Sequence, residues 1–430
     1  MRVGRLLAAG LAVAFITAGA GAHAAGADAH AAGLGGQAAA SINVSTWAPA
    51  RAGVYFFDRS ALGSGQRADF SRRESQFGRK FDGHLYYVPA DVTPSDLADA
   101  HWSLVSDHVP FVTLSWSTGN NPNTIIPDIV AGKYDQEISD FASSVKTELS
   151  PYGRILIRPF WEFNFTGSEW NDVHYGGNSQ EFIAAWRHFV NIFRSNNVGN
   201  VKWLWNPIRV GGSQAQNPVP YYPGSSYVDW IGIDAYPKNM WLTLQQLATT
   251  SGGSSGFDWY DTFKSYGKPL MFGEVGIMPA NSYGSGAPTR ATWWQDGLSE
   301  LKNQLPAVRA IEYFDSSTAH DWRYDAPGTF PGDSGAEALA AAKNSASQCY
   351  MDVLSADCGR PSPRPSHSHS RSPSASPSPS ASPSASRSSP PLSSPASNRS
   401  ALGVVLIIVG VVLAIAGAVS MLLYRRFRTR

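Results

Sequence analysis

The chain has 430 residues, nearly balanced charge (34 Lys and Arg against 33 Asp and Glu, net +1) and 43% hydrophobic residues. With no basic patch in its globular part, it excludes nucleic acids and acidic polymers as partners. It contains no Gly-rich phosphate loop, no HExxH and no GxSxG, which sets aside the chemistries built on those motifs.

The first segment reads as an export signal. Arg2 and Arg5 precede an apolar, small-residue run over 6–22, and Ala22-His23-Ala24 fits a small-x-small cleavage site, giving a signal peptide over 1–24. An Ala/Gly-rich flexible segment follows over 25–43. Residues 44–358 then hold one domain's worth of core material. Short, mostly apolar, strand-like runs recur at 54–57, 84–88, 111–116, 155–161, 201–205, 230–234, 270–274 and 310–314. Between them lie helical patterns at 135–149, 180–193 and 291–305. Eight strands alternating with helices in this length predict an α/β fold, the (β/α)8 TIM barrel.

Cys349 and Cys358 sit close together after the last barrel element. In an exported chain this predicts a local disulfide rather than a zinc site. The stretch 359–400 is almost all Ser and Pro with a few Arg and His, a composition that cannot bury a core and predicts a disordered linker. At about 3.1 Å per residue it could reach on the order of 100 Å. His367 and His369 lie there without another ligand type nearby and read as solvated. Residues 401–424 are apolar and uncharged, long enough for a single C-terminal transmembrane helix, and Arg425, Arg426, Arg428 and Arg430 form a basic tail expected to stay in the cytoplasm. No LPxTG-like motif precedes this run. The expected localisation is the cell surface, with the barrel outside and the membrane reached through the C-terminal helix.

In such a barrel, chemistry gathers at the strand C-termini. Those positions hold Trp116, Glu162, Asn206, Asp234 with Tyr236, Glu274, and Asp315 with the loop to Trp322. Glu162 lies among Arg158, Pro159, Phe160 and Trp161, where partial desolvation favours the protonated carboxyl that a general acid needs. The structural alternative is an ion pair with Arg158. Glu274 follows Gly273 and precedes Val275-Gly276, small neighbours that would let a substrate approach closely. As a nucleophile it must be ionised, so hydrogen bonds from a tyrosine such as Tyr236 and from an arginine are expected. Strands four and seven lie on opposite sides of a closed eight-stranded barrel, so the two carboxylates can face each other across the mouth. Their separation, about 5–5.5 Å for retention or about 6.5–9.5 Å for inversion, is not written in the sequence.

The segments RPFWEFN, YYPGSSYVDWIGIDAYP, KPLMFGEVGI and YFD…DWR together resemble glycoside hydrolase family 26, over about residues 54–324. The resemblance implies a retaining β-glycanase, mannan-degrading above all, with Glu162 as acid/base and Glu274 as nucleophile. It also implies that Tyr236 is the tyrosine beside the nucleophile and Trp322 an aromatic near the sugar subsites. Trp116, Trp161 and Trp170 are further candidates to stack on sugars, with Arg158 and Asn164 as polar contacts. Two departures bear on the substrate: Trp161 stands where the family commonly has His, and Asn164 to Trp170 reads NFTGSEW in place of an NGxWFxW-like loop. A mixed-linkage β-glucanase or β-1,3-xylanase of the same fold, and a non-catalytic carbohydrate-binding surface protein, are the alternatives. No cofactor and no metal are expected, and the partner is a β-linked polysaccharide met by a monomer.

Overall fold

A computed structural model describes residues 47–49, 52–59, 66–117, 124–211, 214–249 and 257–355. The expected signal peptide, linker, transmembrane helix, basic tail and Cys358 lie outside these residues. Among the described residues no helix is long and apolar enough to cross a membrane. Cys349 is held in a disulfide.

Eight parallel strands close into a barrel in chain order: β1 (Tyr55–Asp58), β2 (Gly83–Pro89), β3 (Phe111–Ser117), β4 (Arg154–Pro159), β5 (Val201–Trp205), β6 (Trp230–Ala235), β7 (Leu270–Val275) and β8 (Val308–Tyr313). All eight coincide with the runs seen in the sequence. Boundaries shift by one or two residues: β4 stops at Pro159, two residues before Trp161, and β8 starts at Val308 rather than 310. Nine α-helices are described: α1 (Gln66–Phe77), α2 (Ala98–Val105), α3 (Ile125–Val130), α4 (Asp135–Glu148), α5 (Ser179–Ser195), α6 (Leu244–Ala248), α7 (Trp259–Phe263), α8 (Arg290–Asn303) and α9 (Gly335–Ala346). The apolar stripe of α5 buries Phe182, Trp186, Phe189 and Phe193 against the strands, and Asn178 caps its start by accepting from the Gln180 amide at 3.1 Å.

The barrel interior follows from the two-residue period of a strand. Its lower part is apolar: Tyr55, Phe57, Phe111, Leu156, Leu204, Trp230, Met271 and Ala310 pack as one cluster. Two residues further along the same strands the interior turns polar, with Arg59, Thr113, Arg158, Asn206 and Glu312 all buried. The chain thus places a charged layer directly beneath the mouth, sealed from below by rings.

The β6–β7 pairing carries the device that places Glu274. Ile233 pairs with Phe272, but Asp234 pairs with Glu274, so Gly273 is an extra residue in β7. Continuing the parity of Met271 would point residue 273 inward. The bulge advances the register and turns Glu274 inward as well. Glycine is required there, since a Cβ on Gly273 would lie 1.9 Å from Asn206 Oδ1.

Candidate active site

Glu162 sits in the turn after β4 with φ of 55°, and Phe160 beside it has φ of 53°. Two non-glycine residues in the left-handed region cost about 1–3 kcal/mol each unless the surroundings over-determine them. Here they do. The Phe160 ring is boxed by Trp116, Trp170, Phe182, Trp186 and Phe189, with centroids 5.0–6.0 Å away. The Glu162 amide also donates to the Asn206 carbonyl at 2.9 Å. With its backbone pinned, Glu162 presents its carboxyl to the mouth, half-buried and with no side-chain hydrogen bond to any described residue. Burial, with the negative charge of Glu274 second, pushes its pKa up to about 7.

Glu274, 6% exposed, has the opposite surroundings. Its carboxylate accepts from Arg158 Nη2 at 2.6 Å, from Tyr236 Oη at 2.8 Å and from Tyr87 Oη. Arg158 is fully buried and spends its remaining donors on Ser115 Oγ (2.8 Å), Asp234 (3.1 and 3.3 Å) and the Gly273 carbonyl (3.3 Å). A guanidinium and two phenols aimed at one carboxylate fix its orientation. The ion pair of Glu162 with Arg158, open on the sequence, is not made. Arg158 serves Glu274 and Asp234. One carboxylate oxygen each from Glu162, Asp234 and Glu274 lie within 4.8 Å of one another.

The remaining candidates divide. Tyr236 is where it was expected, and its ring packs against Trp322 at 4.7 Å, with Phe314 and Met278 completing that wall. Trp161 is half-buried at the mouth, 5.3 Å from the Tyr87 ring, with Arg158 Cζ 5.8 Å from its own ring. Trp116 and Trp170 are corrections. Both are buried to within 1% and stack on each other at 5.9 Å, so neither offers a face to a sugar. Their rings build the box that positions Phe160 and hence Glu162. Asn164 is likewise a structural clamp: its side chain donates to the Ile208 and Gln216 carbonyls (3.0 and 2.9 Å) and accepts from the Ile208 amide (2.8 Å), joining the loops after β4 and β5. The small residues around Glu274 make room for protein rather than for substrate. Gly273 accommodates Asn206, and a Cβ on Gly276 would meet the Trp322 Cβ at 3.0 Å.

Three further residues of the site had escaped the sequence reading. Tyr87, on β2, bonds the Glu274 carboxylate. Arg59 lies with its Cζ 5.2 Å from the Tyr87 ring, and Glu312 is fully buried on β8. Burial lowers the Arg59 pKa and pushes the Glu312 carboxyl well up. Glu312 had a visible signal, a carboxylate inside the apolar run AIEYF. Tyr87 had none, because a tyrosine in a strand reads as core.

Comparison with known proteins places this geometry in a family context. Residues 120–248 match the family model of Glycosyl hydrolase family 26. The chain is 31% identical over 251 residues to endoglucanase H of Acetivibrio thermocellus, covering 56% of this chain and 24% of that protein. It is 28% identical over 175 residues to a mannan endo-1,4-beta-mannosidase of Bacillus subtilis, covering 39% and 43%. The matched part is thus about a quarter of the length of the first relative and under half of the second. A modular endo-β-1,4-mannanase from Cellulomonas fimi shares the fold with a TM-score of 0.52 at 17% identity, over 73% of this chain and 75% of that one. These matches make residues 120–248 similar to the family 26 glycosyl hydrolases that the motifs resemble.

Proposed function

We infer that this family 26 relative is a retaining glycoside hydrolase that cleaves β-linked polysaccharide, with β-mannan as its substrate. The observation that carries the reading is the approach of the two glutamates: one oxygen of each lies within 4.8 Å of the other, in keeping with the close spacing of a nucleophile and an acid/base. Their unlike surroundings assign the roles. Glu274, held by three donors, attacks the anomeric carbon as the glycosidic C–O bond breaks. Glu162, protonated below about pH 7, gives its proton to the departing oxygen. A glycosyl ester on Glu274 results. Glu162, now a carboxylate, takes a proton from water as the water oxygen attacks the same carbon and releases Glu274, so the anomeric configuration is kept. Tyr236, part-exposed beside Glu274 and backed by the buried Trp322, offers an aromatic ring to the sugar reacting there.

A second substrate reading has specific support. The longer and more identical match is to an endoglucanase, and Trp161 replaces the family's usual His beside the acid/base. Both favour a gluco-configured β-glycan. The test is a panel of galactomannan, glucomannan, mixed-linkage β-glucan and β-1,3-xylan, with products read by mass and by anomer. Reducing ends of β configuration are expected, and none from Glu274→Ala. Binding without release of reducing ends from any glycan would replace hydrolysis by a binding role. The export signal and the apolar 401–424 segment support a cell-surface enzyme held by a C-terminal anchor. Fractionation of the full chain, and of a chain cut before residue 401, checks this.

A further inference from the structure

At the opposite end of the barrel from the glutamates, a second group of ionisable side chains is buried between α1, β2 and the loop after α2. Glu74 comes from the last turn of α1, His84 is the second residue of β2, and Asp107 follows α2. All three are buried, His84 completely. One ligand-type atom from each lies within 4.8 Å of the other two. His84 Nε2 is 3.5 Å from Glu74 Oε1 and 4.0 Å from Asp107 Oδ2.

The imidazole is fixed like a ligand. Phe70 stacks on it at 3.7 Å with the planes 5° apart, and Trp102 lies near-parallel to it at 6.4 Å. Its Nδ1 meets Ser103 Oγ at 2.8 Å, and Ser103 is in turn bonded to Tyr86 Oη at 2.5 Å. Such an outer hydrogen bond sets the ring orientation in metal sites. What remains is a fully buried Nε2 with no hydrogen-bond partner, aimed at two carboxylates, and a buried Asp107 Oδ2 that also has none. Ligand atoms around a four-coordinate zinc stand about 3.4 Å apart, so closing each pair by no more than about 1.4 Å would bring these three into contact with one ion.

Lys80 closes the group. Its Nζ donates to Glu74 Oε2 at 2.8 Å and to Asp107 Oδ1, while its side chain is 56% exposed. It is a cation on a solvent-facing stem that can swing away. We propose that Glu74, His84 and Asp107 form a binding site for a divalent cation of the zinc class, with Lys80 as the ammonium that an arriving ion displaces. One imidazole and two carboxylates suit zinc and its first-row neighbours better than calcium or magnesium. The place in the barrel assigns the ion a structural role, tying α1 and the α2–β3 loop to β2.

The test is calorimetric titration of the chelator-treated full chain with zinc chloride, paired with thermal unfolding. One zinc per chain and a raised melting temperature are expected. Asp107→Asn should weaken uptake at least tenfold. Lys80→Ala, with its fold checked by circular dichroism, should tighten it severalfold and leave glycan hydrolysis unchanged. Comparison with these variants also separates the site from the linker histidines. Equal uptake by wild type, Asp107→Asn and Lys80→Ala, or no uptake by wild type and Lys80→Ala, overturns the proposal.

Discussion

The ends of β4 and β7 each deliver one glutamate to the same mouth, and the two could hardly be treated more differently. At β4 the backbone is strained and the side chain is left without a partner. Rings fix the turn, and burial with the Glu274 charge outweighs the pull of Lys238 and Arg158 on the carboxyl. At β7 a one-residue bulge in a regular strand feeds the carboxylate into three donors. The lesson is that a fold can make an acid and a nucleophile from one residue type by deciding where the hydrogen-bond donors go.

The largest break in that contrast is Glu274→Ala, expected to lower kcat on the order of 10⁴-fold or more, since removing a nucleophile leaves only binding and the surrounding dipoles. A residual rate within tenfold of wild type, in steady-state assays on the best glycan, would contradict the assignment. Next comes Glu162→Gln, expected to cost roughly 10²–10⁴-fold, most for substrates with poor leaving groups. It should also remove the alkaline limb of the kcat/KM profile, which in the wild type falls as pH passes about 7 because the acid loses its proton.

The same substitution has a stability signature of opposite sign. With the folded pKa raised from 4.5 to about 7, the unfolded chain gives up this proton first, so native stability falls as pH rises across that window. Glu162→Gln should therefore stabilise the domain above pH 7, by roughly 1–3 kcal/mol after allowance for the open mouth, and not at pH 4. Chemical denaturation at the two pH values measures it.

Tyr236→Phe removes one of the three donors to Glu274 and should lower kcat about 10–100-fold, the worth of a hydrogen bond to a charged group. The smallest expected effect is that of Trp161→His, which restores the family's usual residue beside the acid/base. Its prediction is a shift of roughly tenfold in the ratio of kcat/KM for mannan over β-glucan, with the pH profile retained. An unchanged ratio would take Trp161 out of substrate selection.

Much of this was legible in order along the chain. The eight apolar runs gave the barrel, because strands buried on both faces must be continuous hydrophobic stretches. Their ends gave both glutamates, Tyr236 and Trp322. The sequence erred where a residue's duty depends on who surrounds it. Trp116, Trp170 and Asn164 stand at strand ends or in the loop beside Glu162 and have the chemistry of sugar contacts, yet all three are buried in support of the turn that carries it. Tyr87 was invisible for the converse reason, since only barrel closure brings β2 against β7.

By itself the amino-acid sequence determined the fold class, the order of the strands and the two carboxylates, because hydrophobic periodicity and chain order are local properties. Only the tertiary structure decided which glutamate is left unpartnered and which is held by Arg158, Tyr87 and Tyr236, how close they stand, and which tryptophans are walls and which are foundations. Those are matters of distance between residues remote in sequence. Desolvation and charge pairing, which set an acid apart from a nucleophile, act through space and have no expression along the chain.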